Sequence, residues 1–189
     1  DYMQKLQAAL TSGSDVPDIL AMEINNVGKF YDMGISEDLE QHEIDKDLLI
    51  PYLADIGTDD NGTFIGIPNT AAPGGLYYRR DLAKEYLGTD DPEQVQAAVA
   101  DWDKFNAVAE KANEKGYKML SGYDDAYRTF SNNVAAPWVD GKTVKVDENI
   151  MKWVDQTKTF TDKGYNNKTS LWDDAWAKDQ GPEGKVFGF

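Results

Sequence analysis

The sequence contains no cysteine. That excludes disulfides, thiol nucleophiles and cysteine-ligated metals. It has a single histidine, His42, in an acidic and polar stretch. Histidine-based catalytic triads and zinc sites therefore lack their ligands, and His42 reads as a solvated loop residue. There is no apolar run of the roughly 18 residues that a membrane-crossing helix needs. A Walker A loop, a G-x-S-x-G elbow and a G-x-G-x-x-G turn are all missing, which weighs against nucleotide enzymes and α/β-hydrolases. Positive charge is scarce as well. Nineteen Lys and Arg face 34 Asp and Glu, for a net charge of -15. Such a surface repels nucleic acid and anionic lipid headgroups. It suits a neutral or cationic ligand, although solubility alone accounts for it.

The 189 residues that are present leave room for one large domain or two small ones. Hydrophobic residues make up 41% and aromatics 12%. Disordered chains run short of both, so a packed core is expected.

Apolar periodicity predicts a helix over Tyr2 to Leu10, stopped at Ser12-Gly13. Pro17 to Ala21 reads as a buried strand and Asn26 to Met33 as a helix ended by Gly34. A further helix is expected over Lys46 to Ala54. Asn61-Gly62 predicts a type I′ hairpin turn, with two positive φ angles, before a strand from Thr63 to Ile67. Asn69 to Gly75 is irregular. Leu76 to Arg79 reads as a strand feeding a helix to Leu87, and a short helix follows over Glu93 to Val99. Asp101 caps a long helix from Trp102 to Lys115, with a strand over Tyr117 to Ser121 and a helix over Asp124 to Asn133 after it. A second hairpin turns at Asp140-Gly141, Asp147 caps a helix to Lys163, Leu171 to Lys178 is helical, and Lys185 to Phe189 begins a strand. Alternating strands and helices argue for an α/β domain with largely parallel pairing.

Paired acids raise the question of glycoside hydrolysis. Asp59-Asp60, Asp90-Asp91, Asp124-Asp125 and Asp173-Asp174 are adjacent in sequence, so within each pair the side chains diverge. Most sit at turns or helix starts, where Asp binds backbone N–H groups. No catalytic residue is assigned. Asp59 to Gly62 also fails the spacing of a calcium loop, because Pro68 stands where its bidentate Glu belongs. No metal ligand and no cofactor are assigned.

A sugar site needs aromatic rings beside Asp, Glu, Asn or Arg side chains, on loops at strand ends. Three places offer that mixture: Glu23, Asn25 and Asn26; Asn69 and Thr70; and Asp125 and Tyr127 with Asp124. Taken singly, each reads as a cap, a turn or core packing. Each lies past the C-terminal end of an expected strand, where open α/β sheets bind ligands, and that shared placement favours the functional reading.

Several stretches, in order, resemble family 1 extracellular solute-binding proteins, the maltose-binding-protein-like group. They are Tyr2 to Leu6 with Ser12-Gly13, Pro17-Asp18-Ile19, and Gly66-Ile67-Pro68 followed by Leu76-Tyr77-Tyr78-Arg79-Arg80-Asp81-Leu82. Trp102-Asp103 and Gly184-Lys185-Val186 complete the set. Arg79-Arg80 departs from the family's Asn-Lys. The resemblance implies a periplasmic-binding-protein-like type II fold, with two α/β lobes that close on a sugar about a hinge. Residues 1–72 would belong to the N-terminal lobe, 73–189 to the C-terminal lobe, with the crossing at 71–75. The first residues run straight into a helical pattern and the last stop inside an expected strand. A chain cut at both ends, without its signal segment, is therefore expected.

By position, the resemblance makes Glu23, Asn25, Asn26, Asn69 and Thr70 hydroxyl partners, Asp125 the second lobe's acid and Tyr127 its stacking ring. It implies a non-enzymatic, monomeric receptor for an oligosaccharide. The receptor would stand outside the cytoplasmic membrane, in the periplasm or as a cell-surface lipoprotein, and hand its ligand to the permease subunits of an ABC importer. The competing readings are a carbohydrate-active enzyme, or a binding protein for a peptide, a polyamine or a metal. An enzyme needs two carboxylates flanking one groove, and a polyamine needs acids facing inward around a cation.

Overall fold

The computed structural model describes residues 2–189. The chain divides into two compact units, Asp1–Pro73 and Gly74–Phe189.

The first unit is built around three buried side chains, Leu6, Phe30 and Phe64. Helix α1 (Tyr2–Ser12) supplies Leu6 and helix α2 (Ile24–Tyr31) supplies Phe30. The strand expected at Pro17 to Ala21 does not form, and Ile19 is 89% exposed. A strand needs a partner edge, and none of the described residues pairs with this stretch. The helix expected from Lys46 is broken. A single 3-10 turn, Lys46–Leu48, precedes α3 (Pro51–Ile56), which starts on Pro51. Proline has no N–H and its ring clashes with the carbonyl four residues back, so it begins a helix rather than continuing one.

The hairpin at Asn61-Gly62 forms with a different turn. Gly62 has φ 84°, but Asn61 is not in the left-handed region. The Asp59 carboxylate accepts the backbone N–H groups of Asn61 (3.0 Å) and Thr63 (2.8 Å), closing the loop from its own side chain. Thr58 then bridges Phe64 antiparallel. Gly57 is required beside it, because a Cβ there would lie 2.1 Å from the Gly66 carbonyl oxygen.

The second unit holds the larger core. Helix α4 (Arg80–Leu87) buries Leu82, Ala83 and Tyr86, and α5 (Pro92–Ala98) buries Val95. Helix α6 (Trp102–Glu114) buries Phe105, Val108, Ala109 and Ala112, and the Lys104 N–H donates to Asp101 at its cap. Strand β1 (Leu120–Gly122) and α7 (Tyr127–Ser131) follow. The hairpin of β2 (Val139–Asp140) and β3 (Thr143–Val144) turns one residue later than expected, over Gly141 and Lys142. Helix α8 (Glu148–Lys163) ends at Gly164, with φ 71°. Strand β4 (Asn166–Thr169) and helix α9 (Asp174–Asp179) complete the elements.

β4 pairs parallel with β1. The extended residues 185–189 join this sheet by a parallel bridge between Lys118 and Val186 and an antiparallel bridge between Tyr78 and Gly188. The C-terminal ends of β1, β4 and residues 185–189 thus lie along one edge. Arg79 ties this frame together. Its guanidinium donates twice to Asp81, at 2.8 and 2.6 Å, and once to the Gly184 carbonyl, at 3.0 Å. That gives a physical role to one of the two arginines that depart from the family pattern.

Candidate functional site

In the first unit, Glu23 occupies the N-cap position of α2, and its side chain makes no capping bond. Its carbonyl accepts the Asn26 N–H at 2.8 Å, which places Asn25 and Asn26 in the first helical turn. Glu23 and Asn25 are exposed and Asn26 is half-buried. None of the three side chains has a hydrogen-bond partner among the described residues. They stand at a helix start rather than past a strand, which corrects the expected placement.

The framework behind them is fixed by Tyr31, whose hydroxyl donates to the Ile56 carbonyl at 2.5 Å. Burial, and after it the charge of Asp59, push the Tyr31 phenol above its ordinary pKa. Asn69 and Thr70 follow the Phe64 segment. Both are exposed, and the Thr70 hydroxyl meets the Asn69 amide oxygen at 3.4 Å.

In the second unit the loop after β1 is drawn tight by Asp125. Its Oδ2 accepts the backbone N–H groups of Ser121 (2.9 Å) and Gly122 (2.7 Å), and its Oδ1 accepts the Trp176 indole N–H (2.7 Å). Both carboxylate oxygens are thus engaged within the fold. Tyr127 is half-buried and meets Trp153 edge to face, with centroids 4.9 Å apart. Trp153 in turn donates its indole N–H to the Tyr123 carbonyl at 3.3 Å.

Beside Asp125 lies a polar knot around the buried Ser121. The Ser121 hydroxyl bonds Asp179 and Thr169, each at 2.7 Å, and Asn167 donates to the same Asp179 oxygen at 2.8 Å. The knot depends on an irregularity in β4. The register slips between Leu120 and Gly122, and Lys168 takes φ 61°. A bulge of this kind re-aims neighbouring side chains. Gly122 is needed opposite, since a Cβ would come within 2.7 Å of the Thr169 carbonyl oxygen.

Two tryptophans past the end of β4 share this edge. Trp172 is 83% exposed at φ 71°, and its ring meets Trp176 at 5.2 Å and 60°. Phe189 meets the other ring of the pair, Trp176, edge to face at 6.0 Å. Both tryptophans fall within the helix expected over Leu171 to Lys178, but α9 starts only at Asp174 and Trp172 stands in the turn before it.

The paired acids are spread among separate structural tasks. Asp90 pairs with Arg80 at 3.1 Å, Asp91 caps α5 by accepting the Gln94 N–H, and Asp59 closes its hairpin. Among the described residues no three His, Asp or Glu side chains converge to hold a metal ion.

Residues 1–186 match a family model described as bacterial extracellular solute-binding protein. A crystal structure of an extracellular solute-binding protein family 1 superposes with a TM-score of 0.73 at 22% identity. The match covers 99% of this chain and 49% of that one, so the chain spans about half the length of this structural relative. The mixed α/β architecture is therefore the periplasmic-binding-protein-like fold. No curated protein matches the chain.

Proposed function

The chain belongs to the bacterial extracellular solute-binding proteins, and from that premise we propose that it is part of a receptor that binds an oligosaccharide outside the cytoplasmic membrane and delivers it to an ABC importer. The observation that carries this reading is the set Glu23, Asn25 and Asn26. Three side chains suited to sugar hydroxyls fall at the N-cap and in the first turn of α2, without hydrogen-bond partners among the described residues. A carboxylate and two amides offer both acceptors and donors, which a hydroxyl, itself donor and acceptor, pairs with. Asn69 and Thr70 add a second polar set. The aromatic edge of the second unit supplies apolar surface for ring faces.

In this reading residues 71–75 act as the hinge, with lobes 1–72 and 73–189. The receptor is monomeric and performs no chemistry on its ligand. Asp125 contributes by shaping its loop, and Tyr127 contributes a ring edge.

The test is a thermal-shift screen of the intact protein against neutral oligosaccharides, peptides and polyamines. A ligand that binds only the folded state raises the melting temperature, and does so further the more its concentration exceeds its Kd. Carbohydrates are expected to give the shift. A shift with peptides or polyamines alone overturns the carbohydrate assignment. New reducing ends after incubation with a bound oligosaccharide overturn binding without turnover.

A further inference from the structure

We infer that Trp172 is a ligand-stacking plate, held out for the flat face of a pyranose ring and braced by Trp176; this deepens the carbohydrate reading above and rests on it. The first observation is conformational. The Asp173 N–H donates to the Ser170 carbonyl at 3.2 Å, so residues 170–173 form a turn with Trp172 at its third position. Its φ of 71° is the angle that position takes in a type II turn, where glycine is the usual residue. A bulky L-residue is strained there.

The second observation is exposure. Strain of this kind is ordinarily offset by burial of the side chain, yet Trp172 is 83% exposed. Its indole packs on Trp176 and meets no other ring among the described residues. A strained backbone that holds a large ring mostly exposed gains one ring contact, with Trp176, and little burial. Strain retained for so small a folding return points to a task in recognition.

The third observation is placement and bracing. Trp176 is fixed by its indole bond to Asp125, which also holds the backbone at the end of β1. Phe189 backs Trp176 from residues 185–189. The plate is therefore anchored to three strand ends on the edge where α/β sheets bind ligands.

The geometry also selects the ligand class. A quaternary ammonium is recognised by a cage of several ring faces. Here the two indoles are tilted at 60°, and no third ring closes around Trp172 among the described residues. An open plate suits a ligand with one apolar face and a polar rim. A pyranose has that form, and the exposed carboxylates of Asp173 and Asp174 stand next in the chain for its hydroxyls.

The experiment uses the intact protein and the variants W172G and W172F. Each is titrated calorimetrically with neutral gluco-, galacto-, manno- and xylo-trioses and with tetramethylammonium, and each is melted without ligand. W172G is expected to weaken binding of the recognised triose at least about tenfold, the scale of a lost aromatic hot spot. It should leave the melting temperature unchanged or raise it, because glycine relieves the turn. W172F should retain most of the affinity. If the wild type binds a triose and W172G binds it equally well, the stacking inference fails and the receptor reading stands. If W172G lowers the melting temperature and leaves affinity intact, the tryptophan is structural and the inference fails. Binding of tetramethylammonium but no triose overturns the ligand class, and binding of neither overturns the receptor reading together with this inference.

Discussion

Trp176 donates its indole N–H to Asp125 across 51 residues of sequence, at 2.7 Å. The same carboxylate takes two backbone N–H groups at the end of β1, one of them on the fully buried Ser121. One side chain therefore joins the loop after β1 to helix α9. Asp125→Ala leaves those donors unpaired, and hydrogen bonds to a charged acceptor contribute about 1.5–3 kcal/mol each. Relaxation and water recover part of that. The expected loss is about 3 kcal/mol in urea unfolding followed by circular dichroism. Trp176→Phe removes a single donor and should cost clearly less. Equal losses in the two variants would show that the backbone bonds of Asp125 contribute little.

Gly57 sits against the Gly66 carbonyl, with no space for a Cβ. The Ile65 and Gly66 N–H groups both reach the Gly57 carbonyl, so the strain cannot be relieved by moving residues 65–66 away. Gly57→Ala is expected to destabilise the first unit by about 1–3 kcal/mol, the usual range for overpacking. Protection of the Ile65 amide in hydrogen exchange should fall in the same variant. Gly28→Ala is the control, since nothing lies within 4 Å of its virtual Cβ.

Three aspartates are held below the ordinary carboxylate range by backbone N–H groups: Asp59 chiefly by Thr63, Asp101 by Lys104 and Asp147 by Asn149. A carboxylate with a depressed folded pKa binds protons more readily in the unfolded chain. Its stabilising effect is complete above the unfolded value of about 3.9 and disappears as pH falls through the lower folded value. The melting temperature should therefore drop steeply below about pH 4, where these carboxylates protonate in the unfolded chain first. Asp147→Asn keeps a good cap but cannot titrate, so its profile should be flatter there. A wild-type profile parallel to that of the variant would remove Asp147 from the acid transition.

The sequence made the helices of the second unit legible because their apolar stripes and caps are local signals. Asp101 and Asp147 mark helix starts, and Lys163 a helix end, where the structure has them. Strands were harder, since pairing is not a local property. Pro17 to Ala21 has strand-like residues and no partner, whereas Asn166 to Thr169 has polar residues and pairs with β1. Seen from the sequence, the site divides the same way. Residue type singles out Glu23, Asn25 and Asn26 as candidates, although they begin a helix. Residue type makes Asp125 a candidate ligand carboxylate, whereas its bonds to Ser121, Gly122 and Trp176 depend on contacts that residue type cannot disclose. Trp172 is not singled out by the sequence, because the strand before it is polar.

Tyr127 separates stacking on a ligand from packing within the fold. Its ring is half-buried and lies edge to face with Trp153, with the Arg128 guanidinium 5.9 Å from the ring centre. Tyr127→Ala removes the ring, and an aromatic pair of this kind contributes about 0.5–1.5 kcal/mol beyond burial, so some stability is lost in any case. If the exposed part of the ring also meets the sugar, affinity falls by a further about 1–3 kcal/mol, the cost of a lost hot-spot contact. Tyr127→Phe keeps the ring and deletes only the hydroxyl. The expected pattern in calorimetry on the intact protein is a large loss for alanine and a small one for phenylalanine. Should Tyr127→Ala melt earlier and bind oligosaccharide unchanged, its ring serves α8 alone, and the stacking surface of the second unit reduces to Trp172 and Trp176.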